Sequence, residues 1–422
     1  MPEETILTDD FLRELMNVGE VDILIGVPTF NDAKTVPQVV QAIRGGLLKY
    51  FPRQRAVIIN ADGGSKDSTQ DLVRAASISD AAQATHIQAL RTLHSISTRY
   101  EGGPAHGRAL YTILAGADLL HPAACAIIAP DSVNIQPEWI DRLLGPVVRD
   151  SFDFVSPMYR RHKYDGLLVR NLIYPMNRAL YGKKIREPYP TEFAFSTRFG
   201  SYFFGQDIWS EDVGSKGTEL FFTISALSGG FRVAQTFLGD KDRIDHAPAD
   251  LIPAMRETVG TLFWSLDRNF PAWTADKPPE AVPTLGPQPQ VSQDTLRVNR
   301  KRLYDMFVHG VAELEPVLGS ILTPATLEQL KATAALPEPR FRYPDDVWTR
   351  SVYEFAASYH KAVISRDHII QALAPLYRGK TYTFLAENRD AGAEEVEQNV
   401  ENLCLEFERE KPYLLELWDG KK

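Results

Sequence analysis

The sequence predicts an α/β protein in which a mostly parallel sheet is flanked by helices and is followed by an α-helical C-terminal region. Up to residue 274, short apolar runs that end in polar turns alternate with helical patterns, as in parallel βα units. Residues 275–290 are rich in proline and predict a linker without regular structure. We therefore expect an α/β domain over residues 1–274, a linker over residues 275–290 and a helical domain over residues 291–422.

The composition is that of a globular protein, with 44% hydrophobic and 24% charged residues among 422. Lys and Arg number 46 against 55 Asp and Glu, and the resulting net charge of -9 argues against a nucleic-acid partner. The two cysteines, Cys125 and Cys404, lie far apart in apolar surroundings. This usage argues against a disulfide framework or a thiolate metal cluster and is typical of a reducing compartment.

Neither the N-terminus nor the longest apolar stretch predicts export or membrane insertion. The first 17 residues are acidic and amphipathic, so they predict a helix and lack the basic head and apolar centre of a signal peptide. Between residues 110 and 128 the apolar pattern is interrupted by Asp118 and His121, which leaves it too short to span a membrane. We expect a cytoplasmic protein with no membrane partner.

The first half of the predicted sheet begins with two βα units. Residues 21–27 predict a buried strand, which a polar turn joins to a helix at about residues 35–49. Residues 56–61 predict a second strand, followed by a turn whose glycines let the backbone approach a ligand. Residues 87–90 predict a weak third strand.

A single carboxylate ends the next strand. A glycine-rich, partly basic loop leads to a predicted helix at about residues 109–120, and residues 126–128 predict a buried strand that runs into Asp131. Pro137 then begins another helix at its first position. Open α/β sheets bind ligands at the carboxyl ends of their strands, where an Asp commonly holds a divalent cation on phosphates. The alternative is an Asp in an ordinary turn.

The rest of the chain predicts two more strands and a series of helices. Strands are expected at residues 154–158 and 231–237, and helices at about residues 168–181 and from Glu219 onward. Two apolar helix faces are predicted in the C-terminal region: Trp348, Val352, Phe355 and Tyr359, and Val396, Val400, Leu403 and Phe407. Such apolar faces could also form the interface of a homodimer, which is an open possibility from the sequence.

Two common nucleotide-binding motifs are absent from the sequence. It contains no G-x-G-x-x-G fingerprint, which argues against a dehydrogenase. It also contains no G-x-x-x-x-G-K-[ST] loop, which argues against a P-loop NTPase.

Four motifs in a fixed order resemble the GT-A glycosyltransferases, which have a Rossmann-like fold. They are VPTFNDA after the first strand, NADGGSKDST after the second, APDS before PEWI, and R-x-D-H at residues 243–246. Within that class the sequence resembles the retaining enzymes that make glucosylglycerate and mannosylglycerate, and glucosyl-3-phosphoglycerate synthase. The resemblance covers about residues 20–270.

The resemblance implies a Mg²⁺ or Mn²⁺ site. Asp131 matches the second Asp of the family's D-x-D motif, and His246 matches its late metal-binding histidine. The first Asp of the motif is replaced by Ala129. A histidine near a strand end is otherwise an ordinary surface or core residue, and only the motif order favours the metal role of His246.

The resemblance also implies a site for a nucleotide diphosphate sugar. The expected donor-binding residues are Pro28, Thr29, Asn31, Asp32, Asp62, Gly63, His106, Arg108, Pro130 and Arg243. Among them, His106, Arg108 and Arg243 are expected to add positive charge near the diphosphate, whereas Asp62 is expected to bind the base. The alternative for Asp62 is that it accepts hydrogen bonds from its own turn. UDP-glucose, GDP-glucose and GDP-mannose all remain open as donors.

Two glutamates are the predicted catalytic residues. Glu192 matches the Glu of the family's L-A-G-E motif and is expected to orient the donor sugar. Glu219 is a second candidate on the sugar or acceptor side, and its alternative is a carboxylate that interacts favourably with the dipole of the helix it begins. The residues expected to bind the acceptor are Arg160, Arg170, Tyr189 and Thr191.

The acceptor is expected to be D-glycerate. Relatives that use 3-phosphoglycerate carry a phosphate-binding G-R-V-T run, and at its Arg and Thr positions this sequence has Leu167 and Val169. The predicted activity is retaining, metal-dependent transfer of glucose, or mannose, that yields a glucosylglycerate-type compatible solute. One alternative is 3-phosphoglycerate as acceptor, held by Arg160, Arg161, Lys163 or Arg170. Another, from a different class, is a non-catalytic nucleotide-sugar-binding protein.

Overall fold

Two units make up the structure, and each takes segments from several parts of the sequence. The structure is a computed structural model that describes residues 7–81, 93–100, 105–214, 216–241, 251–275, 278–286 and 300–419. The first, here called the sheet unit, consists of Met1–Tyr159, Tyr189–His246 and Val282–Pro289. The second, here called the helical unit, consists of Arg160–Pro188, Ala247–Ala281 and Gln290–Lys422. The domain boundaries at residues 274 and 291 stay a prediction.

The sheet unit alternates strands and helices in its first half. Its elements up to residue 150 are α1 (Asp9–Val18), β1 (Ile23–Thr29), α2 (Val36–Tyr50), β2 (Ala56–Asp62), α3 (Thr69–Ala81), β3 (Leu93–Arg99), α4 (His106–Leu120), β4 (Ala124–Ile127) and α5 (Pro137–Asp150). Those that follow are β5 (Phe154–Arg160), β6 (Phe193–Ser196), α7 (Thr197–Phe204), α8 (Thr218–Ser228), β7 (Val233–Asp240) and β8 (Thr284–Leu285).

The eight strands form one mixed, mostly parallel sheet in the order β3-β2-β1-β4-β6-β5-β7-β8. β1 pairs in parallel with both β2 and β4, β2 with β3, and β7 with β8. β6 runs antiparallel to β4 and to β5. The predicted class, a mostly parallel α/β sheet flanked by helices with a helical C-terminal region, is confirmed.

The central strands are buried on both faces, as their unbroken apolar runs predict. All of β2 is buried, and so is β1 except for Pro28. α2 and α5 cover one face with a shared core that includes Ile43, Trp139 and Leu143. On α4, Ile113 comes so close to β1 that a Cβ on Gly26 would lie 2.6 Å from its side chain, so only glycine fits there.

One predicted strand of the sheet lies outside the described residues, and one predicted feature differs from the structure. The third strand is β3, at Leu93–Arg99, whereas the predicted strand at residues 87–90 lies outside the described residues. β3 has only three buried residues and therefore a weak apolar signal. The expectation that residues 275–290 lack regular structure was wrong at β8, where the Gln235 N–H donates to the Pro283 carbonyl at 2.8 Å. Proline is tolerated there because it lies at the start of an edge strand.

Helices build the second unit. They are α6 (Tyr174–Tyr181), α9 (Leu251–Met255), α10 (Thr261–Arg268), α11 (Phe270–Thr274), α12 (Arg300–Glu313), α13 (Glu315–Ile321), α14 (Pro324–Ala334), α15 (Asp345–Lys361), α16 (Arg366–Glu387), α17 (Ala393–Arg409) and α18 (Lys411–Asp419). A π-helical turn, Val169–Ile173, precedes α6. Both predicted apolar faces are buried, on α15 and on α17. None of the helices in the described part of the chain has the length and apolar character needed to cross a membrane.

A buried arginine joins α6 to α17 within the helical unit. The Arg178 side chain is 1% exposed, and its guanidinium donates to both carboxylate oxygens of Glu401, at 2.5 and 2.8 Å, and to Glu408 Oε1 at 2.5 Å. Hydrogen bonding to Arg178 lowers the pKa of Glu401 to about 2. Because the charges are paired, the arginine can stay ionised inside the unit.

Replacing Arg178 by Met should lower the free energy of unfolding by about 3 kcal/mol, since it removes the buried guanidinium that binds both glutamates, although Glu401 keeps its 3.3 Å contact with Lys184. The lowered pKa of Glu401 means that this stabilisation is present above about pH 4.5 and is lost as the pH falls toward about 2. Denaturant unfolding at neutral pH measures the change. The control is Lys331→Met, which breaks a half-exposed pair with Glu315 and should cost at most about 0.5 kcal/mol. Equal effects of the two variants would contradict the prediction.

Candidate functional site at the carboxyl edge of the sheet

Parallel pairing brings three polar turns to one edge of the sheet. β1 lies between β2 and β4 and runs parallel to both, so the turns that follow these strands lie side by side. They contain Asp32 after β1, Asp62 at the end of β2, and Asp131 after β4. This edge is where open α/β sheets bind ligands.

The turns after β1 and β2 are joined by hydrogen bonds. The Asn31 N–H donates to Ser65 Oγ at 2.8 Å, and the Lys66 N–H donates to Asn31 Oδ1 at 2.9 Å. Asn31 has a φ of 60°, a left-handed conformation that asparagine tolerates better than most residues. The Asp32 N–H also donates to Thr69 Oγ1 at 2.9 Å. The predicted first donor loop is therefore held in place by the second.

Asp62 is fully buried and both of its oxygens accept hydrogen bonds. Oδ1 accepts from the N–H groups of Gly64 and Ser65 and from Gln70 Nε2, at 2.8 to 2.9 Å. Oδ2 accepts from the hydroxyls of Thr29 at 2.8 Å and Ser65 at 2.6 Å. These contacts match the alternative interpretation, in which Asp62 accepts hydrogen bonds from the backbone of its own turn. Its role in binding a nucleotide base stays a prediction.

Two carboxylates, Asp32 and Asp131, interact electrostatically at this edge. Burial, followed by the charge of Asp131, raises the pKa of Asp32 to about 6, although the Phe30 N–H donates to the Asp32 carboxylate at 2.7 Å. A carboxylate whose pKa is raised by burial and by a neighbouring carboxylate suits a hard divalent cation, which prefers carboxylate oxygens. Among the described residues, no group of three or more His, Cys, Asp or Glu side chains could hold a metal. His246 and Arg243 lie outside the described residues.

The start of α4 carries two cationic side chains, His106 and Arg108, both exposed. Its N-cap residue, Ala105, provides no side-chain hydrogen bond, and the first turn contains no acidic residue. Unsatisfied N–H groups and the helix dipole make such a start favourable for an anion. Arg108, and His106 when it is protonated, therefore bring positive charge to this helix start, and their role in binding a diphosphate stays a prediction.

His106 is paired with Glu219, one of the two predicted catalytic residues. His106 Nδ1 lies 3.0 Å from Glu219 Oε1, and the Glu219 side chain is 9% exposed. Glu219 Oε2 is buried and accepts no hydrogen bond from the described residues. Glu219 is in the first turn of α8, so the predicted alternative of a helix-dipole carboxylate also fits its position.

A glycine lets α4 approach α8 closely enough for this pair. A Cβ on Gly107 would lie 2.3 Å from both the Gly214 carbonyl oxygen and Thr218 Oγ1. His106 and Glu219 then line one small cleft together with Pro28, Leu110, Ile113, Ile127, Ala129, Thr191 and Phe193. Ala129, which stands in place of the first Asp of the D-x-D motif, is thus part of the same cleft.

Glu192, the other predicted catalytic residue, is fully buried and surrounded by donors. Its Oε1 accepts from Ser132 Oγ at 2.5 Å. Its Oε2 accepts from Thr191 Oγ1 at 2.8 Å, from the Tyr159 hydroxyl and from Lys241 Nζ at 2.6 Å. The predicted acceptor residue Thr191 therefore contacts Glu192 in this structure.

Sequence reasoning did not find Lys241. Its side chain is only 3% exposed, and its ammonium group lies 4.3 Å from the centre of the Tyr159 ring in addition to its bond to Glu192. The available signal was its position directly after β7, at the end of a strand. That signal does not say which carboxylate, 49 residues away, the lysine pairs with.

The other predicted acceptor residues lie in both units. Within the helical unit, Arg170 is buried, and burial lowers the pKa of its guanidinium, whose Nη1 donates to the Lys163 carbonyl at 3.1 Å. Arg160 is exposed at the end of β5. Tyr189 belongs to the sheet unit and is half-buried.

Leu167 and Val169, at the positions of the phosphate-binding Arg and Thr, contact the apolar core of the helical unit. That core cluster consists of Tyr174, Phe384, Ala391, Val396, Val400 and Cys404. Two of the cations named for the phosphate alternative have partners there too. Arg161 forms a two-fold hydrogen bond with Glu187 at 2.7 and 3.1 Å, and Lys163 Nζ donates to the Arg389 carbonyl at 2.8 Å.

Comparison with known proteins gives structural matches only. No model of a protein family matches the chain, and no curated protein matches it in sequence. Among solved structures it is similar to glucosyl-3-phosphoglycerate synthase from Mycobacterium tuberculosis. In the complex with Mn²⁺, UDP and glucosyl-3-phosphoglycerate, the identity is 19%, the match covers 64% of this chain and 86% of that chain, and the TM-score is 0.42.

Two further complexes of that enzyme match to a similar degree. The complex with Mn²⁺, UDP-glucose and phosphoglyceric acid has 18% identity, coverage of 64% and 85%, and a TM-score of 0.42. The complex with Mn²⁺, UDP-glucose and glycerol 3-phosphate has 17% identity, coverage of 64% and 87%, and a TM-score of 0.41. The matched enzyme is one of those that the sequence motifs resemble. A likeness at this TM-score supports neither an activity nor a ligand for this chain, so both must be argued from its own residues.

Asp32→Asn should raise the melting temperature of the metal-free protein by roughly 2–4 °C near neutral pH. Since the pKa of Asp32 is raised from 3.8 to about 6 in the folded protein, the stability it contributes is present at low pH and lost as the pH rises through about 6. Asparagine keeps an oxygen that accepts from the Phe30 N–H. Because it does not ionise, the stability no longer falls as the pH rises. Circular dichroism melts between about pH 4 and pH 8 should show the gain shrinking toward the acid end.

The matched control is Asp10→Asn, at an exposed position on α1. We expect it to leave the pH dependence of the melting temperature unchanged. A gain for Asp32→Asn that stays constant across the pH range would contradict the assigned electrostatic cause.

Proposed function

We propose that the chain is a retaining, metal-dependent GT-A glycosyltransferase that moves glucose, or mannose, from a nucleotide diphosphate sugar to D-glycerate. The observation that carries the proposal is the combination of charges at one sheet edge. Asp32 and Asp131 lie at the ends of adjacent parallel strands, and the cationic start of α4 carries His106 beside the buried Glu219. An arrangement of carboxylates, cations and an open helix N-terminus suits a metal-bound diphosphate.

On the donor side, Asp131 would hold Mg²⁺ or Mn²⁺ together with His246. The cation, when bound, neutralises the leaving diphosphate and acts as a Lewis acid. His106 and Arg108 would bind the same phosphates from the start of α4, and Arg243 is a third candidate cation. The two hydrogen-bonded turns that contain Asn31 and Asp62 would contact the nucleoside of the donor.

On the sugar side, Glu219 is the favoured contact. Its Oε2 is buried and accepts no hydrogen bond from the described part of the chain, and Glu219 lines a cleft that also contains Thr191 and Ala129. Leaving such an oxygen unsatisfied is costly, so a hydroxyl of the transferred sugar is a favourable partner. We assign no carboxylate nucleophile, and attack by the acceptor hydroxyl on the face that the diphosphate leaves would retain the configuration.

For the acceptor, D-glycerate is preferred over 3-phosphoglycerate. Leu167 and Val169 cannot supply the charge-assisted donors that a phosphate dianion needs, and both pack against the apolar core. Arg161 and Lys163 have partners within the helical unit. Arg170, which donates to the Lys163 carbonyl, and Arg160 are the proposed contacts for the single carboxylate of glycerate. The alternative from a different class is a nucleotide-sugar-binding protein without catalysis, which the replacement of the first Asp by Ala129 favours.

The purified protein with Mn²⁺ and a panel of UDP- and GDP-sugars should glycosylate D-glycerate in preference to 3-phosphoglycerate. Asp131→Ala should reduce turnover by at least about 100-fold, because the diphosphate would leave without its cation. Chromatography of the products measures both results. Binding of UDP with no turnover of any donor would favour the non-catalytic alternative, and preference for 3-phosphoglycerate would overturn the assigned acceptor.

Restoring the phosphate-binding residues tests the acceptor assignment directly. The double variant Leu167→Arg, Val169→Thr should raise the ratio of kcat/KM for 3-phosphoglycerate to that for D-glycerate by about tenfold, the value of one charge-assisted hydrogen bond. The control double variant, Leu167→Met with Val169→Ile, keeps both side chains apolar and should leave the ratio unchanged. No change in the ratio with the first variant would show that these positions do not face the acceptor.

A further inference from the structure

The network around Glu192 joins four strand ends of the sheet unit. β6 runs antiparallel to β4, with Phe193 opposite Ile127, so Glu192 stands at the edge where β4 ends. Ser132 comes from the turn after β4, Tyr159 from the end of β5, and Lys241 from the end of β7. One buried carboxylate therefore holds three segments that are distant in sequence.

The charges in this network depend on each other. The side chains of Glu192 and Lys241 are 0% and 3% exposed, and their charged atoms are 2.6 Å apart. Removing either partner takes away the counter-charge that lies 2.6 Å from the other, which favours movement of the remaining charged group toward water or another partner. Any such movement displaces the groups that hydrogen-bond to Glu192.

The nearest of these groups to the proposed metal site is Ser132. It is 1% exposed, donates to Glu192 Oε1 at 2.5 Å, and is the residue directly after Asp131. Since adjacent residues share a planar peptide bond, the position of Ser132 limits the orientation of the Asp131 backbone. The same turn is tied on its other side, where Gln38 Nε2 donates to the Val133 carbonyl at 2.5 Å.

Glu192 has little capacity left for a sugar. The Glu192 carboxylate already accepts from four donors, Ser132 at Oε1 and Tyr159, Thr191 and Lys241 at Oε2. Because the side chain is fully buried among them, a sugar hydroxyl could reach it only if one of these neighbours moved. Glu219, with its unsatisfied oxygen, has no such obstacle.

We infer that Glu192 and Lys241 are positioning residues for the Asp131 turn, acting through Ser132, and that Glu192 does not contact the transferred sugar. The inference rests on the proposed function, in which Asp131 holds the metal. Glu192 was expected to orient the sugar; in this inference it instead fixes the turn that contains the metal ligand Asp131. Groups that orient a metal ligand typically change metal affinity by about 10- to 100-fold when they are removed.

The experiment measures Mn²⁺ affinity of the full chain in the presence of UDP, from the electron paramagnetic resonance signal of free Mn²⁺. Glu192→Gln and Lys241→Met should each weaken Mn²⁺ binding by about tenfold or more. Lys241→Arg, which keeps the cation, should retain most of the affinity. Ser132→Ala removes only the hydroxyl link and should weaken binding by a few-fold, roughly the value of one hydrogen bond, even if the charged-pair variants fail to fold.

The matched control is Asp153→Asn, which disrupts another buried carboxylate of the sheet unit, at the opposite end of β5, where Asp153 pairs with Arg198. It should lower the melting temperature without changing Mn²⁺ affinity by more than about twofold. A loss of affinity in this control as large as in Glu192→Gln would mean that general destabilisation explains both, and would overturn the inference.

Two further outcomes separate the inference from the proposed function. If Glu192→Gln, Lys241→Met and Ser132→Ala all bind Mn²⁺ as the wild type does while Glu192→Gln raises the KM of the donor sugar, Glu192 contacts the sugar and the inference is wrong. If the wild type itself binds no Mn²⁺ with UDP, the proposed metal-dependent function is overturned, and the positioning role is overturned with it.

Discussion

The parallel pairing of β1 with both β2 and β4 is the constraint on which the candidate site depends. It directs three carboxylates, Asp32, Asp62 and Asp131, to one edge of the sheet, where their mutual repulsion has to be offset. Asp62 is satisfied by neutral donors of its own turn and of β1. The Asp32 carboxylate accepts from the Phe30 N–H, and its pKa is raised to about 6, first by burial and then by the charge of Asp131. A bound cation would offset the repulsion between these two carboxylates.

The antiparallel insertion of β6 adds the second half of the site. Because β6 starts where β4 ends, Glu192 reaches the same edge and is neutralised there by Lys241. Glu219 lines the cleft whereas Glu192 is fully buried, and the two glutamates differ in their hydrogen bonds. Glu192 is fully paired and suited to hold the structure, whereas Glu219 shares one oxygen with His106 and keeps the other available. This division of roles follows from hydrogen-bond capacity, not from position in a motif.

Within the helical unit, an ion pair and an apolar core involve several of the residues that the phosphate alternative would need. Arg161 is bound to Glu187, so its guanidinium is not available without breaking that pair. Leu167 and Val169 contribute to packing around Tyr174. The same substitutions that remove a phosphate contact therefore also extend the core, which gives them a structural reason independent of the acceptor.

The sequence by itself determined the α/β class, most strands and helices, and the buried faces of α15 and α17, because apolar periodicity reflects local burial. It also placed Asp32, Asp62 and Asp131 at strand ends, since a polar turn after an apolar run is a local pattern. It missed β3, whose edge position leaves few buried residues, and β8, whose two residues follow a proline. Only the tertiary structure decided which distant groups meet: Glu192 with Lys241 and Ser132, and His106 with Glu219. Strand pairing and, for His106 and Glu219, the close approach of α4 to α8 at Gly107 set these contacts, and no local pattern of residues encodes them.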